Sequence, residues 1–270
     1  MILTQRDIEA IKNIIYQAAD IANKYYNESL TVQYKSDLSP VSNADIEINN
    51  FICSALRNLT KINVISEENN DNYLEDVHSP FWLVDPIDGT RNYIEQDPNY
   101  TINVGLIVGL QPKYGFIYKP STCVMQYLDE CGNLCIESHQ NKISRFSYNN
   151  NDLIIAILNK QSTTFQQSKN FLAEYHIKSY VSFYGSSKLG HIIQGFADIY
   201  AKFDPCMEWD TAAGHALLKS IGGDIVDTNF TPLRYGKSSF KHNNFIAYNN
   251  RWIKYTEEKR YENVNQYTML

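Results

Sequence analysis

The run WLVDPIDGTRNY, residues 82–93, places two carboxylates, Asp85 and Asp88, at the end of an apolar stretch. Pro86 has no amide hydrogen and a fixed φ, so strand pairing is predicted to stop there. Asp88 and Gly89 then turn the chain, and Thr90 can open a helix. Both carboxylates would lie at the carboxyl end of a strand, where open α/β sheets bind ligands. Oxygen ligands with no His or Cys beside them select a hard cation such as Mg²⁺. The amides of Gly89 and Thr90 at a helix start suit a phosphate.

Other acids can join this pair. Glu67 and Glu68 directly follow a short apolar strand at 62–66. If that strand neighbours the one ending at Asp85, a glutamate and two aspartates converge. Clustered carboxylates repel unless a cation neutralises them. Asp210, in WDTAAGH, stands near a helix start where the dipole favours its anion. The small residues after it permit close packing. Each acid also has a plain structural reading. The run DxxDGT can be a capped turn, Asp210 and Asp45 helix-start carboxylates, and the Glu67–Glu68 pair a solvated loop. Their joint occurrence favours the metal. Cys206, His215 and His191 are read as structural.

The elements that must position these residues follow from periodicity. Residues 4–27 read as an amphipathic helix, with Thr4 and Asp7 as a capping pair and Ile8, Ile11 and Ile15 on one stripe. A polar loop, KSDLSPVSN, leads to a second helix at 44–59. Strands are predicted at 62–66 and 81–84. Between 100 and 138 the period becomes two, with turn signals between short runs, which predicts an antiparallel meander. From 152 onward strands and helices alternate: strands at 152–158, 178–183, 197–201 and 224–227, helices at 163–175, 186–195 and 210–220. That pattern predicts an α/β half. The composition shift at 140–152 places the boundary, giving an α+β half over 1–145 and an α/β half over 146–270 that share one interface.

The chain has 270 residues, 43% of them hydrophobic, enough for a sizeable core. Its 24 basic and 30 acidic residues leave a formal charge of −6, which argues against a nucleic-acid polymer as partner. No apolar run reaches the roughly 18–20 residues a membrane span needs. The first residues, MILTQRDIEA, do not read as a signal peptide. Five scattered cysteines, with no histidine near Cys131 and Cys135 to complete a zinc set, fit reduced thiols in a cytoplasm.

VDPIDGTRNY and EWDTAAGHALLKSIGGDI resemble the two signature motifs of the inositol monophosphatase family, and ISEEN resembles the acidic motif that precedes them. The order and spacing match over residues 5–248. Within the family the chain is most similar to the 3′(2′),5′-bisphosphate nucleotidases, on SPVSNADIEIN, YTINVGLI and YGSSKLGHIIQGFADIY. The resemblance implies an αβαβα layered sandwich and a Li⁺-sensitive phosphomonoesterase holding two or three Mg²⁺. It implies that Glu67, Asp85, Asp88, Asp210 and the Ile87 carbonyl ligate the metal. These groups, with Gly89 and Thr90, would face the phosphate. Thr90 with Asp45 would orient and activate the attacking water beside Glu67. Ser186, Lys188 and Lys202 match positions near the nucleotide or its second phosphate. The partner is thus a small phosphorylated substrate, and family members often form homodimers.

Three other readings compete with this one. Haloacid-dehalogenase-like phosphatases use DxDGT with a nucleophilic first aspartate; here the spacing is DxxDGT and residue 87 is Ile. A second reading keeps the family and changes the substrate to inositol monophosphate. Asn92 after DGTR is more like those enzymes, and KFDPCMEWD departs from the usual Gly-Pro-Thr before Trp-Asp. The third is a binding protein that has lost catalysis, against which every expected ligand is present.

Overall fold

The computed structural model describes residues 2–26, 30–35, 38–69, 72–138, 154–160, 162–183 and 187–267, with side chains through 258. The predicted domain boundary and Ser186 lie outside the described residues. Helix α1 (Gln5–Tyr26) leads through the small hairpin β1 (Val32–Tyr34) and β2 (Pro40–Ser42) to α2 (Asn43–Thr60). Thr4 and Asp7 bond to each other at the start of α1 as predicted. The Ser42–Asp45 capping box starts α2, and Lys61 in the left-handed region ends it. Strands β3 (Asn63–Ser66) and β4 (Phe81–Asp88) pair in parallel. The short α3 (Thr90–Ile94) precedes the antiparallel meander β5 (Thr101–Val108), β6 (Gln111–Lys119), β7 (Val124–Leu128) and β8 (Leu134–Ser138). The first sheet has six strands in the order β3-β4-β5-β6-β7-β8.

The second half alternates β9 (Ile155–Ile157), α4 (Phe165–Glu174), β10 (Ser179–Val181), α5 (Lys188–Ile193) and β11 (Ile199–Lys202). Then come β12 (Cys206–Met207), α6 (Glu208–Ser220), β13 (Asp224–Val226), β14 (Lys241–His242), β15 (Phe245–Tyr248) and α7 (Asn250–Tyr267). The second sheet runs β10-β9-β11-β15-β13, parallel through β11 and antiparallel at β15. β1, β2, β12, β14 and β15 were not foreseen, because strands of two to four residues are too short to show a period, and β2 lies within the stretch read as a polar loop. The tail reads as a helix, α7, anchored by the buried Trp252.

The layers follow from which side each strand faces. Trp82 donates to Thr60 Oγ1 of α2 on one face of the first sheet. On the other face Gly105 and Gly115 meet α6: a Cβ at Gly115 would lie 2.2 Å from the Ala213 carbonyl oxygen, and one at Gly105 2.7 Å from Ala212 Cβ. Glycines on the strands and Ala212–Ala213 on the helix let the two backbones press together, the close packing that the small residues after Asp210 suggested. A separate apolar cluster of Ala156, Leu172, Ile199, Ile246 and Trp252 sits on the outer face of the second sheet with α4 and α7. The order is α1/α2, sheet, α5/α6, sheet, α4/α7: the αβαβα sandwich. No helix among the described residues is long and apolar enough to cross a membrane.

Candidate active site

Asp85 and Asp88 both belong to β4, so the strand does not stop at Pro86. Its ladder with β5 instead slips: Asp85 pairs with Asn103, and pairing resumes at Asp88 with Thr101. The missing amide of Pro86 is absorbed by that irregularity. On a regular strand residues three apart face opposite sides. Here Asp85 nonetheless feels the charge of Asp88. Gly89 follows at φ 99°, a left-handed conformation that suits glycine, and aims Thr90 into α3.

Glu67, after β3, and Asp210, in the first turn of α6, complete the cluster. One carboxylate oxygen from each of Glu67, Asp85 and Asp210 lies within 4.8 Å of the others. Like charges this close repel by about 3.5 kcal/mol per pair at an effective dielectric of about 20. Three such pairs rival a whole domain's stability, so the group must protonate or hold a cation. Burial, then Glu67, Asp88 and Asp210, push Asp85 far above its ordinary range. Burial and Asp210 raise Asp88 to about 7. Asp210 rises to about 6 through burial, with Lys202 opposing and Glu67 adding to the rise. Asp85 Oδ1 is buried without a hydrogen-bond partner. An orphaned anionic oxygen facing two other carboxylates is what a hard cation would satisfy, so the residues present fit Mg²⁺.

Asp45 serves two ends. Its Oδ2 caps α2, accepting from Ser42 N at 2.8 Å and Ser42 Oγ at 2.5 Å. Its Oδ1 lies 3.2 Å from Thr90 Oγ1, which is also 3.1 Å from the Ile87 carbonyl. Burial raises its pKa, with the Ser42 and Thr90 hydrogen bonds opposing. The structure thus brings Asp45, Glu67, Asp85, Ile87, Asp88, Thr90 and Asp210 together, with Asp45 both at the start of α2 and beside Thr90. Glu67 and Glu68 are not a solvated loop. Lys35 Nζ bridges them at 2.8 and 2.7 Å. Burial would lower the Lys35 pKa, but the two glutamates raise it. Lys35 was missed because it lies in a polar loop with no period.

Beside the carboxylates opens a cavity of about 270 Å³, bordered by Asp88, Gly89, Asn92, Lys188, Tyr200, Lys202, Cys206 and Asp210. Lys188 heads α5, with burial lowering its pKa while Asp88 opposes. Two acids and two lysines line it, with Lys188 close enough to feel the charge of Asp88 and Lys202 close enough to act on Asp210. Cys206, read from sequence as structural, forms part of this wall. His215 and His191 are structural as expected: His215 is buried between Tyr235 and Asp224, and the His191 ring lies 3.7 Å from that of Phe183.

The model of the inositol monophosphatase family matches residues 3–267. The chain is 32% identical over 258 residues to the 3′(2′),5′-bisphosphate nucleotidase CysQ of Aggregatibacter actinomycetemcomitans, covering 91% of this chain and 93% of that one. To the CysQ of Salmonella typhimurium it is 31% identical, covering 84% and 93%. The crystal structure of CysQ from Bacteroides thetaiotaomicron, a bacterial member of the same family, superposes with a TM-score of 0.77 at 26% identity, covering 91% of this chain and 97% of that one. The chain belongs to the inositol monophosphatase family and is a phosphatase of that family.

Proposed function

We propose that the chain is a Mg²⁺-dependent, Li⁺-sensitive 3′(2′),5′-bisphosphate nucleotidase that converts adenosine 3′,5′-bisphosphate to AMP and phosphate. One observation carries the reading: Asp88 and Asp210, whose charges act on the Asp85 carboxylate with its orphaned buried oxygen, line one cavity with Lys188 and Lys202. The acids suit a metal at the scissile phosphate, and the lysines suit a second anionic group. The names of the relatives support the same substrate. Glu67, Asp85, Asp88, Asp210 and the Ile87 carbonyl would hold Mg²⁺, which supplies charge neutralisation at the phosphate and a lowered pKa for water. Gly89 and Thr90 offer backbone amides to the phosphate oxygens. Thr90 Oγ1 holds the attacking water and accepts its proton as its own passes to Asp45 Oδ1. The raised pKa of Asp45 suits it to that role. Attack is in line, with no phosphoenzyme, and Ser186, Lys188 and Lys202 bind the nucleotide end.

Inositol-1-phosphate is the second reading, favoured by Asn92 at the cavity, which donates to Asp97 Oδ2 at 2.7 Å. The test is turnover of both esters side by side with Mg²⁺, with and without Li⁺. The bisphosphate should be hydrolysed faster and Li⁺ should inhibit. A tenfold or greater preference for the inositol ester overturns the substrate, and no phosphate release from either overturns the enzyme reading.

A further inference from the structure

The wall of the cavity away from the carboxylates is built from two loops that share one side chain. The loop after β9 carries Asn159 and the turn at 162–164; the loop from β11 to β12 carries Asp204, between Lys202 and Cys206. Asn159, Lys202 and Cys206 all border the cavity. β9 and β11 are parallel neighbours, but their ladder ends at Tyr200–Ile157. Beyond it β11 still pairs with β15 as far as Lys202–Phe245, but the two loops leave the sheet at the ligand-binding end without strand pairing to each other.

Asp204 supplies a tie there. Its carboxylate accepts the Ser162 hydroxyl, Thr163 Oγ1 at 3.2 Å and Thr164 Oγ1 at 2.9 Å. The turn is ordered internally as well: Thr164 N donates to Ser162 Oγ at 3.0 Å, and Ser162 N to the Asn159 carbonyl at 3.2 Å. Three hydroxyls on one carboxylate form charge-assisted bonds, stronger than neutral ones. Burial would raise the Asp204 pKa, yet the three hydroxyls hold it below the ordinary carboxylate range, so the acceptor stays ionised.

We propose that Asp204 is a positioning residue for substrate binding: it clamps the 162–164 turn to the β11–β12 loop and so sets the spacing of Asn159 and Lys202 across the nucleotide end of the cavity. Asp204 does not touch the reacting atoms. It acts on the part of the substrate that is not cleaved, so its loss weakens binding more than it slows chemistry. This rests on the nucleotidase reading for the identity of that part.

The test compares Asp204→Ala, Asp204→Asn and the double variant Ser162→Ala/Thr164→Val on adenosine 3′,5′-bisphosphate and on glycerol 2-phosphate, which is too small to span the cavity. Asp204→Ala should raise KM for the bisphosphate by about fivefold or more, with kcat within about twofold and glycerol 2-phosphate turnover unchanged. Asp204→Asn keeps one acceptor oxygen but loses the charge, and should give a KM between those of wild type and Asp204→Ala. The double variant should match Asp204→Ala, and combining them should add nothing. An unchanged KM in Asp204→Ala, an equal loss on the small ester, additive effects, or Asp204→Asn as poor as Asp204→Ala would each overturn the clamp. If Asp204→Ala does not fold, the double variant removes two of the three bonds, those of Ser162 and Thr164, and decides alone. Wild-type preference for inositol-1-phosphate would instead sink the nucleotidase reading, and the clamp is then judged by the same KM ratios on that ester.

Discussion

Helix α6 has acids in its first turn and just beyond its end, and they are treated in opposite ways. Glu208, in its first turn, is fully buried and fully occupied. It accepts from Gly236 N at 2.6 Å, Lys237 N at 3.1 Å and Lys237 Nζ at 3.0 Å. Asp224, beyond the helix's end, accepts from His215 Nε2 at 2.6 Å and from Ile225 N at 2.8 Å. Burial would raise Asp224, but His215 holds its pKa below the ordinary value. Two residues after Glu208, Asp210 joins Glu67 and Asp85 in a cluster where the pKa values of Asp85 and Asp210 climb and one buried oxygen has no partner. Acids paired within the chain stabilise the fold; acids gathered without enough partners cost stability and are positioned for something that arrives from outside.

The sharpest way to break that contrast is Asp85→Asn. Losing a ligand from the cluster should cut Mg²⁺-dependent phosphate release by at least about 10²-fold. The metal-free variant should melt no lower than wild type, since a repelling charge has gone. The rise in Tm that Mg²⁺ gives the wild type should shrink or vanish. Full activity in this variant removes Asp85 from the mechanism, and a large fall in metal-free Tm would place it among the structural acids.

Glu208→Ala probes the other class. It strands two backbone amides and takes one partner from the Lys237 ammonium, so urea unfolding should show a loss of about 3 kcal/mol. The fraction that remains folded should still turn over substrate with Mg²⁺. Wild-type stability would mean that solvent replaces those bonds at no cost.

The smallest effect is a pH dependence. The His242 ring is buried edge-on to Tyr235, with Lys237 Nζ 2.9 Å from its Nδ1. Burial, then the charges of Lys237, His215 and Lys202, lower its pKa from 6.5 to about 3. Between those values the unfolded chain binds a proton that the folded chain does not. Stability from this group is therefore complete above about pH 6.5 and falls with decreasing pH by up to about 1.4 kcal/mol per unit. The raised acids Asp88 and Asp210 act with the opposite sign in the metal-free protein, so the comparison is wild type against His242→Gln, which share that cluster. Urea midpoints from pH 7 to 4 should diverge in favour of the variant as pH falls; a constant gap would exclude His242 as a source.

Much of this site was legible along the chain. Asp85, Asp88 and Gly89 stood out because a strand, a proline and a turn signal adjoin, and Asp210 because small residues follow it. Lys35 and Asp204 were not legible. Each sits in a loop where residue type carries no period, and each acts through groups far away in sequence. The continuation of β4 past Pro86 was misjudged for a related reason: proline forbids one ladder bond, but an irregular register can leave that bond out and let the strand proceed. The predicted division at 145/146 lies outside the described residues. The layers on either side of it follow the alternation that the hydrophobic pattern implied.

By itself the sequence determined the chemical vocabulary: oxygen ligands for a hard cation, a turn offering amides to a phosphate, and the periods that sort residues between helix and strand. These are local properties, set by side-chain type and by neighbours a few positions away. Tertiary structure alone decided which acids share a cation and which are satisfied within the fold. It did so through the parallel pairing of β3 with β4 and the close seat of α6 on Gly105 and Gly115. Repulsion among carboxylates depends on distances between segments remote in sequence, and only packing sets those distances.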